Sequence, residues 1–131
     1  MKVLTLKEPW ASLIAYGHKR IETRSWKVNY RGTILVHAGS GSATPSRISE
    51  VSKLVTIPRP MHGNIIAKVE IVDCVEITEE YANQVRQVDP VSYSCGDFTP
   101  GRYAWILRNP QIVNPIPIPG KLGLWNYNSD E

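Results

Sequence analysis

Short β-patterned runs, repeatedly interrupted by proline and glycine, dominate this chain and rule out most other folds. The first residues alternate as Met1-Lys2-Val3-Leu4-Thr5-Leu6, the period-two signature of a half-buried strand. Residues 20–26 alternate again, setting Arg20, Glu22, Arg24 and Trp26 on one face. Residues 33–38 read as a buried strand, 64–77 as a long β run, and 102–107 as another strand. The final run, 113–125, carries Pro115, Pro117 and Pro119. Proline has no N–H for a ladder, so this stretch pairs only as an edge or a bulged segment.

Helical signals are short and lie between these runs. Pro9 suits a first helical turn, Gly17 suits a left-handed end, and Trp10, Leu13, Ile14 and Gly17 recur at i, i+3, i+4, i+7. A two-turn helix is therefore expected over residues 9–16. Thr44 before Pro45 predicts a capped helix over roughly 45–54, and Thr78-Glu79-Glu80 opens another toward Val85. Gly39-Ser40-Gly41-Ser42 reads as a flexible loop, as do 57–63 and 96–101. The sum is an α+β chain of about five or six strands with two or three short helices, a small barrel or a strongly bent mixed sheet.

At 131 residues, one cored domain is expected over 1–127, with a tail at 128–131. No run approaches the roughly 20 apolar residues of a membrane span. The N-terminal strand pattern lacks a signal-peptide core, so cytoplasmic residence without membrane attachment is the expectation. Two cysteines, Cys74 and Cys95, make no disulfide framework, and with three scattered histidines they show no zinc spacing. Neither a metal nor another cofactor is expected.

Charge is unevenly spread. Residues 1–35 hold seven cations and two carboxylates, a balance of +5, which leaves −2 for the rest of a chain whose total is +3. One electropositive face on a near-neutral body suits a polyanion.

The sequence Gly17-His18-Lys19-Arg20-Ile21-Glu22-Thr23-Arg24 contains a G-x-K-x-x-E-x-R core at Gly17, Lys19, Glu22 and Arg24. Around it stand Pro9-Trp10-Ala11-Ser12-Leu13, Tyr30-Arg31-Gly32, His37-Ala38, Trp105, Gly120 and Trp125. In these features the chain resembles the ASCH domain family, above all the ASCH domain of activating signal cointegrator-type proteins. The resemblance implies a PUA-like β-barrel with a cleft between barrel and first helix, and binding to RNA or DNA, RNA before DNA. Some members of the family act enzymatically on nucleic acid.

The residues expected to carry binding are Lys19, Arg24, Trp26, Lys27, Arg31, Ser40 and Lys121. Arginine offers phosphate a bidentate fork and lysine a point charge, tryptophan a stacking face for an unpaired base, and the 39–42 backbone an anion cradle. Were the protein instead a metal-independent ribonuclease, Lys19, Glu22 and His37 would supply acid–base chemistry. A third reading is a small-molecule or peptide-binding module. Acylcytidine amidohydrolases of the superfamily place a threonine nucleophile where this chain has Glu22, which removes the attacking hydroxyl. A monomer is expected, with docking on a larger transcription or translation complex as an open partner class. Were Glu22 and Arg24 buried together as a pair, the site assignment would have to be abandoned.

Overall fold

In a computed structural model that describes residues 1–128, six strands and four short helices follow one another. The order is β1 (Lys2–Glu8), α1 (Trp10–Ala15), β2 (Ile21–Arg24), β3 (Gly32–Ser42), α2 (Pro45–Ser52), β4 (Asn64–Glu76), α3 (Glu79–Val88), α4 (Pro90–Ser94), β5 (Tyr103–Pro117) and β6 (Leu124–Asn126). The strands form one sheet in the order β2-β5-β4-β3-β1-β6. β1 and β3 run parallel and the other neighbours antiparallel, as a crossover through α1 and β2 requires. The fold is thus a mixed α+β sheet of six strands with several short helices, as its patterning predicts.

Curvature comes from the β4–β5 ribbon. Its register shifts at Ile65/Ala67, Lys68/Glu70 and Ile71/Asp73, and Asn109 holds a positive φ of 57°. Such bulges bend strands, and the bent sheet wraps α1, which lies against β1, β3, β4 and β5. The main core gathers Leu4, Leu6, Ile14, Val36, Val69 and Trp105 between helix and sheet. The far half of β5 carries Pro110, Pro115 and Pro117 and pairs with β4 alone, the edge role its prolines dictate.

Local chemistry sets the helix ends. Thr44 accepts from the Arg47 N–H at the start of α2 and Thr78 from the Tyr81 N–H at the start of α3, caps worth about 1 kcal/mol each. Gly17 takes φ +81° after α1, the left-handed exit expected of it. An additional helix, α4, starts at Pro90 where the Asp89 carboxylate accepts from the Ser92 N–H at 3.2 Å.

One loop expectation fails. Residues 39–42 continue β3, with Ser42 opposite Glu8. The glycines permit a close approach there: a Cβ on Gly39 would meet the Thr5 methyl at 2.8 Å. A Gly/Ser run reads as flexible, yet here the missing side chains let two strands touch. The tail expected at 128–131 lies, apart from Asn128, outside the described residues. Among the described residues no helix is long and apolar enough to cross a membrane.

Candidate functional site

A recess of about 640 Å³ is lined by residues from β1, β2, β3, α2, the 95–102 segment and residues 122–123, with Trp10 contributed by α1. Its cations are Lys7, Arg24, Arg47 and Arg102; its carboxylates are Glu22 and Asp97. The lining therefore carries an excess of two positive charges.

The motif residues enter through the turn after α1. The backbone N–H groups of His18 and Lys19 both donate to Leu13 O, at 2.9 and 3.0 Å. This folds the chain back and sends the Lys19 side chain inward, 1% exposed. Its ammonium donates to Ile21 O and, at 2.9 Å, to Glu22 Oε1. Glu22 Oε2 accepts from Arg24 Nε at 2.8 Å. Burial pushes the Glu22 carboxyl up, but Lys19 and Arg24 outweigh it and hold the group below its ordinary range. One anion thus joins two cations, and only Arg24 reaches the recess with a partly open head, its side chain 24% exposed.

Each arginine of the recess is anchored by main-chain carbonyls. Arg24 Nη2 donates to Thr5 O at 3.2 Å, and its guanidinium lies 5.9 Å from the Trp105 ring centre. Arg47 Nη2 donates to Ser94 O at 3.0 Å and Gly96 O at 2.7 Å. Arg102 donates from Nε to Asp97 O at 3.0 Å and from Nη2 to Thr23 O at 3.4 Å. A guanidinium has five N–H donors, so each head keeps donors for an external oxyanion while its position is fixed.

The expected residues divide. Arg24 and Ser40 line the recess; Glu22 lines it but is buried and paired. Lys19, expected as a direct phosphate contact, is not among the recess residues; its ammonium is enclosed and donates to Ile21 O and Glu22. His37, expected as an acid–base group, is 1% exposed and is not among the recess residues. Its Nε2 lies 2.7 Å from Ile118 O, which can only accept, so Nε2 carries the proton and donates. Its Nδ1 faces Thr5 Oγ1 at 3.4 Å, and that hydroxyl accepts from Trp125 Nε1 at 2.9 Å. The imidazole therefore ties β3 and β1 to the 118–125 segment.

Trp26, Lys27, Arg31 and Lys121 are not among the recess residues. Trp26 is 41% exposed and meets Trp105 edge-on at 4.7 Å. Lys27 is exposed. Arg31 donates to Val28 O at 3.0 Å and stands 3.6 Å from Asp73. Lys121 sits 5.9 Å over the Trp125 ring. The 39–42 anion cradle is replaced by strand. Thr23, next to the expected nucleophile position, accepts from the Asp97 N–H at 3.0 Å.

Sequence reasoning missed Lys7, Arg47 and Arg102. Arg47 stands three residues after its cap and looks like a solvated helix face; Arg102 merely follows a turn glycine. Only the topology brings them to Arg24. Among the described residues no group of three or more His, Cys, Asp or Glu is placed to hold a metal.

A family model described as the ASCH domain matches residues 4–119. Activating signal cointegrator 1 of Homo sapiens and that of Mus musculus are each 29% identical over 136 aligned residues. The match covers 96% of this chain and 22% of theirs, so the chain spans about a fifth of these curated relatives. Among solved structures, ASCH from Zymomonas mobilis aligns with a TM-score of 0.60 and 16% identity, over 98% of this chain and 88% of that one. A tyrosine-to-phenylalanine mutant of the same protein gives 0.61 and 17%, over 98% and 91%. At such identity the likeness is one of fold.

Proposed function

The chain belongs to the ASCH domain family, and on that premise we propose that its basic recess binds nucleic acid through the phosphate backbone, RNA in preference to DNA. The observation that carries this reading is the set of three guanidiniums, Arg24, Arg47 and Arg102, each held by backbone carbonyls around one opening. Fixed forks suit phosphate oxygens, and they lose little side-chain freedom on binding. Ser40 and Thr44 stand exposed on the same lining and supply hydroxyls for a ribose 2′-OH, the group that distinguishes RNA. The cointegrator name of the larger relatives supports a place for such a module within a larger assembly.

The ribonuclease reading has less support. Its acid–base candidates Lys19 and His37 are enclosed and hydrogen-bonded, and no histidine is among the recess residues.

The test is a binding titration of single-stranded RNA and matched DNA at several salt concentrations, with RNA integrity scored in the same samples. Salt-sensitive binding of intact RNA, tighter than DNA and weakened by Arg24→Gln, is the expected result. Binding indifferent to salt or to Arg24→Gln would sink the proposal, and cleavage in EDTA would restore the nuclease.

A further inference from the structure

Of the four tryptophans, Trp26 keeps the most of its surface in solvent, 41%; Trp105 and Trp125 are buried and Trp10 is half-buried. The exposed part of an apolar ring adds nothing to the core, yet the chain around this one is not loose. Trp26 O accepts from Trp105 Nε1 at 3.3 Å, and Val28 sits 3% exposed in the main core. Tyr30 Oη donates to Thr33 O at 2.9 Å, and Arg31 Nη1 to Val28 O at 3.0 Å. The backbone is therefore pinned at Trp26 and beyond it, while the indole stays partly in water.

Trp105, opposite Glu22 in the β2–β5 ladder, links this ring to the basic recess. Trp26 meets it edge-on, with ring centres 4.7 Å apart and planes at 81°. Such a contact covers at most one of the two Trp26 faces. Among the described residues no other ring and no cation stands against Trp26. The Arg24 guanidinium lies 5.9 Å from the same Trp105 ring centre, so the two distances together bound the separation of Trp26 from the Arg24 head. A stacked strand advances about 3.4 Å per nucleotide. No more than about three nucleotides therefore separate a phosphate on Arg24 from a base at Trp26.

We propose that Trp26 is a stacking platform for an unpaired base of the strand whose phosphate lies on Arg24, and that it selects single strands over duplex. The inference rests on the nucleic-acid reading of the recess and adds a base contact outside the recess lining. Stacking accepts every base, since each has a π face, but a base paired inside a duplex has no free face to offer. A ring on a pinned backbone also loses little freedom on binding. The indole is uncharged and releases no counterion, so its contribution is independent of salt, unlike that of the arginines.

The test is fluorescence anisotropy of the whole chain with a short single-stranded RNA, the same sequence as duplex, and an abasic strand of equal length, at several salt concentrations. Trp26→Leu keeps apolar bulk beside Trp105 and removes the π face, whereas Trp26→Phe keeps a smaller face. Trp26→Leu should weaken the single strand by about tenfold or more, the usual loss for one stacked base. It should leave the slope of log affinity against log salt unchanged and barely alter duplex binding. Trp26→Phe should recover most of the loss. The abasic strand probes the same contact in the parent protein: it should bind more weakly than the intact strand, and Trp26→Leu should cost it nothing further. Equal affinity of parent and Trp26→Leu for the single strand, an equal loss for duplex or abasic strand, or no difference between the Leu and Phe variants would overturn the proposal. Such a failure leaves Arg24→Gln still weakening RNA. RNA binding that ignores Arg24→Gln sinks the recess reading instead, and this proposal with it.

Discussion

Lys19 Nζ meets Glu22 Oε1 at 2.9 Å with the lysine side chain wholly shielded from solvent. Glu22 spends its other oxygen on Arg24 at 2.8 Å, so one buried carboxylate serves an interior cation and a recess-facing one. Taking these charges out of water costs several kcal/mol per ion, which only mutual pairing offsets. The arrangement holds while all three members are present.

Removing the shared anion should therefore be worse than removing the interior cation. Glu22→Ala leaves the Lys19 ammonium enclosed with only a carbonyl, and a loss of about 3–5 kcal/mol in urea unfolding is expected. Lys19→Met leaves Glu22 its Arg24 partner and fills similar volume, so its loss should be smaller. In the double variant the two losses should fall short of additivity by about 1–3 kcal/mol. Strict additivity would mean that the two groups do not communicate, whatever their distance.

Acid should loosen the fold partly through the same carboxylate. Burial pushes Glu22 up from its ordinary 4.5, and Lys19 and Arg24 more than reverse this. A depressed folded pKa means that the unfolded chain binds the proton first. The stabilising contribution is complete above about 4.5 and disappears as pH falls through the folded value. Asp97 is also held low, by the Thr99 hydroxyl and then by the Thr99 backbone amide, so its contribution fades in the same direction but from its own ordinary 3.8 downward. Unfolding free energy measured from pH 7 downward should fall less steeply in Glu22→Gln than in the parent. Parallel acid limbs for the two proteins would contradict the assignment.

If the recess binds a strand, its arginines should act as separate phosphate contacts. Arg47→Gln and Arg102→Gln should each weaken RNA and lower the steepness of log affinity against log salt by about 0.7, the single-strand value per phosphate. Lys27→Gln and Lys121→Gln, which lie outside the recess, should change that slope much less. The set is read by fluorescence anisotropy at four salt concentrations. Equal effects from all four residues would point to diffuse attraction by the whole basic face.

What could be read ahead of the structure was whatever depends on neighbours in the chain. The exit of α1 at Gly17, the threonine caps at 44 and 78 and the edge character of the proline-rich end all follow from residues within a few positions of one another. The resemblance to the ASCH family also marked Gly17, Lys19, Glu22 and Arg24 as a unit. It was silent on depth: a glycine exit foretells the His18 N–H bond to Leu13 O, but not the second bond to that oxygen, from the Lys19 N–H, that accompanies the inward turn of the lysine. Arg47 and Arg102 were invisible for a different reason. They come from α2 and the segment before β5, and only the mixed strand order brings those segments beside β2. The burial of His37 was equally illegible, because a histidine before a Gly/Ser run looks accessible until the 118–125 segment covers it.

That covering segment supplies the last prediction. Gly120 lies so close to His37 that a Cβ there would meet Cε1 at 2.6 Å and Nδ1 at 2.7 Å, with Thr5 Oγ1 at 3.0 Å. The ring has little room to retreat, being 1% exposed and bonded to Ile118 O. Trp125, 6.0 Å away edge-on, closes another side. Gly120→Ala should therefore displace the segment rather than the imidazole and loosen β6 from β1. A destabilisation of about 1–3 kcal/mol, the usual range for overpacking, is expected in urea unfolding. Faster amide exchange at Trp125 and Asn126 should accompany it. His37→Ala removes the obstructing ring, so adding Gly120→Ala in that background should cost much less than in the parent. If Gly120→Ala were equally costly with and without His37, the ring would not be what the glycine accommodates.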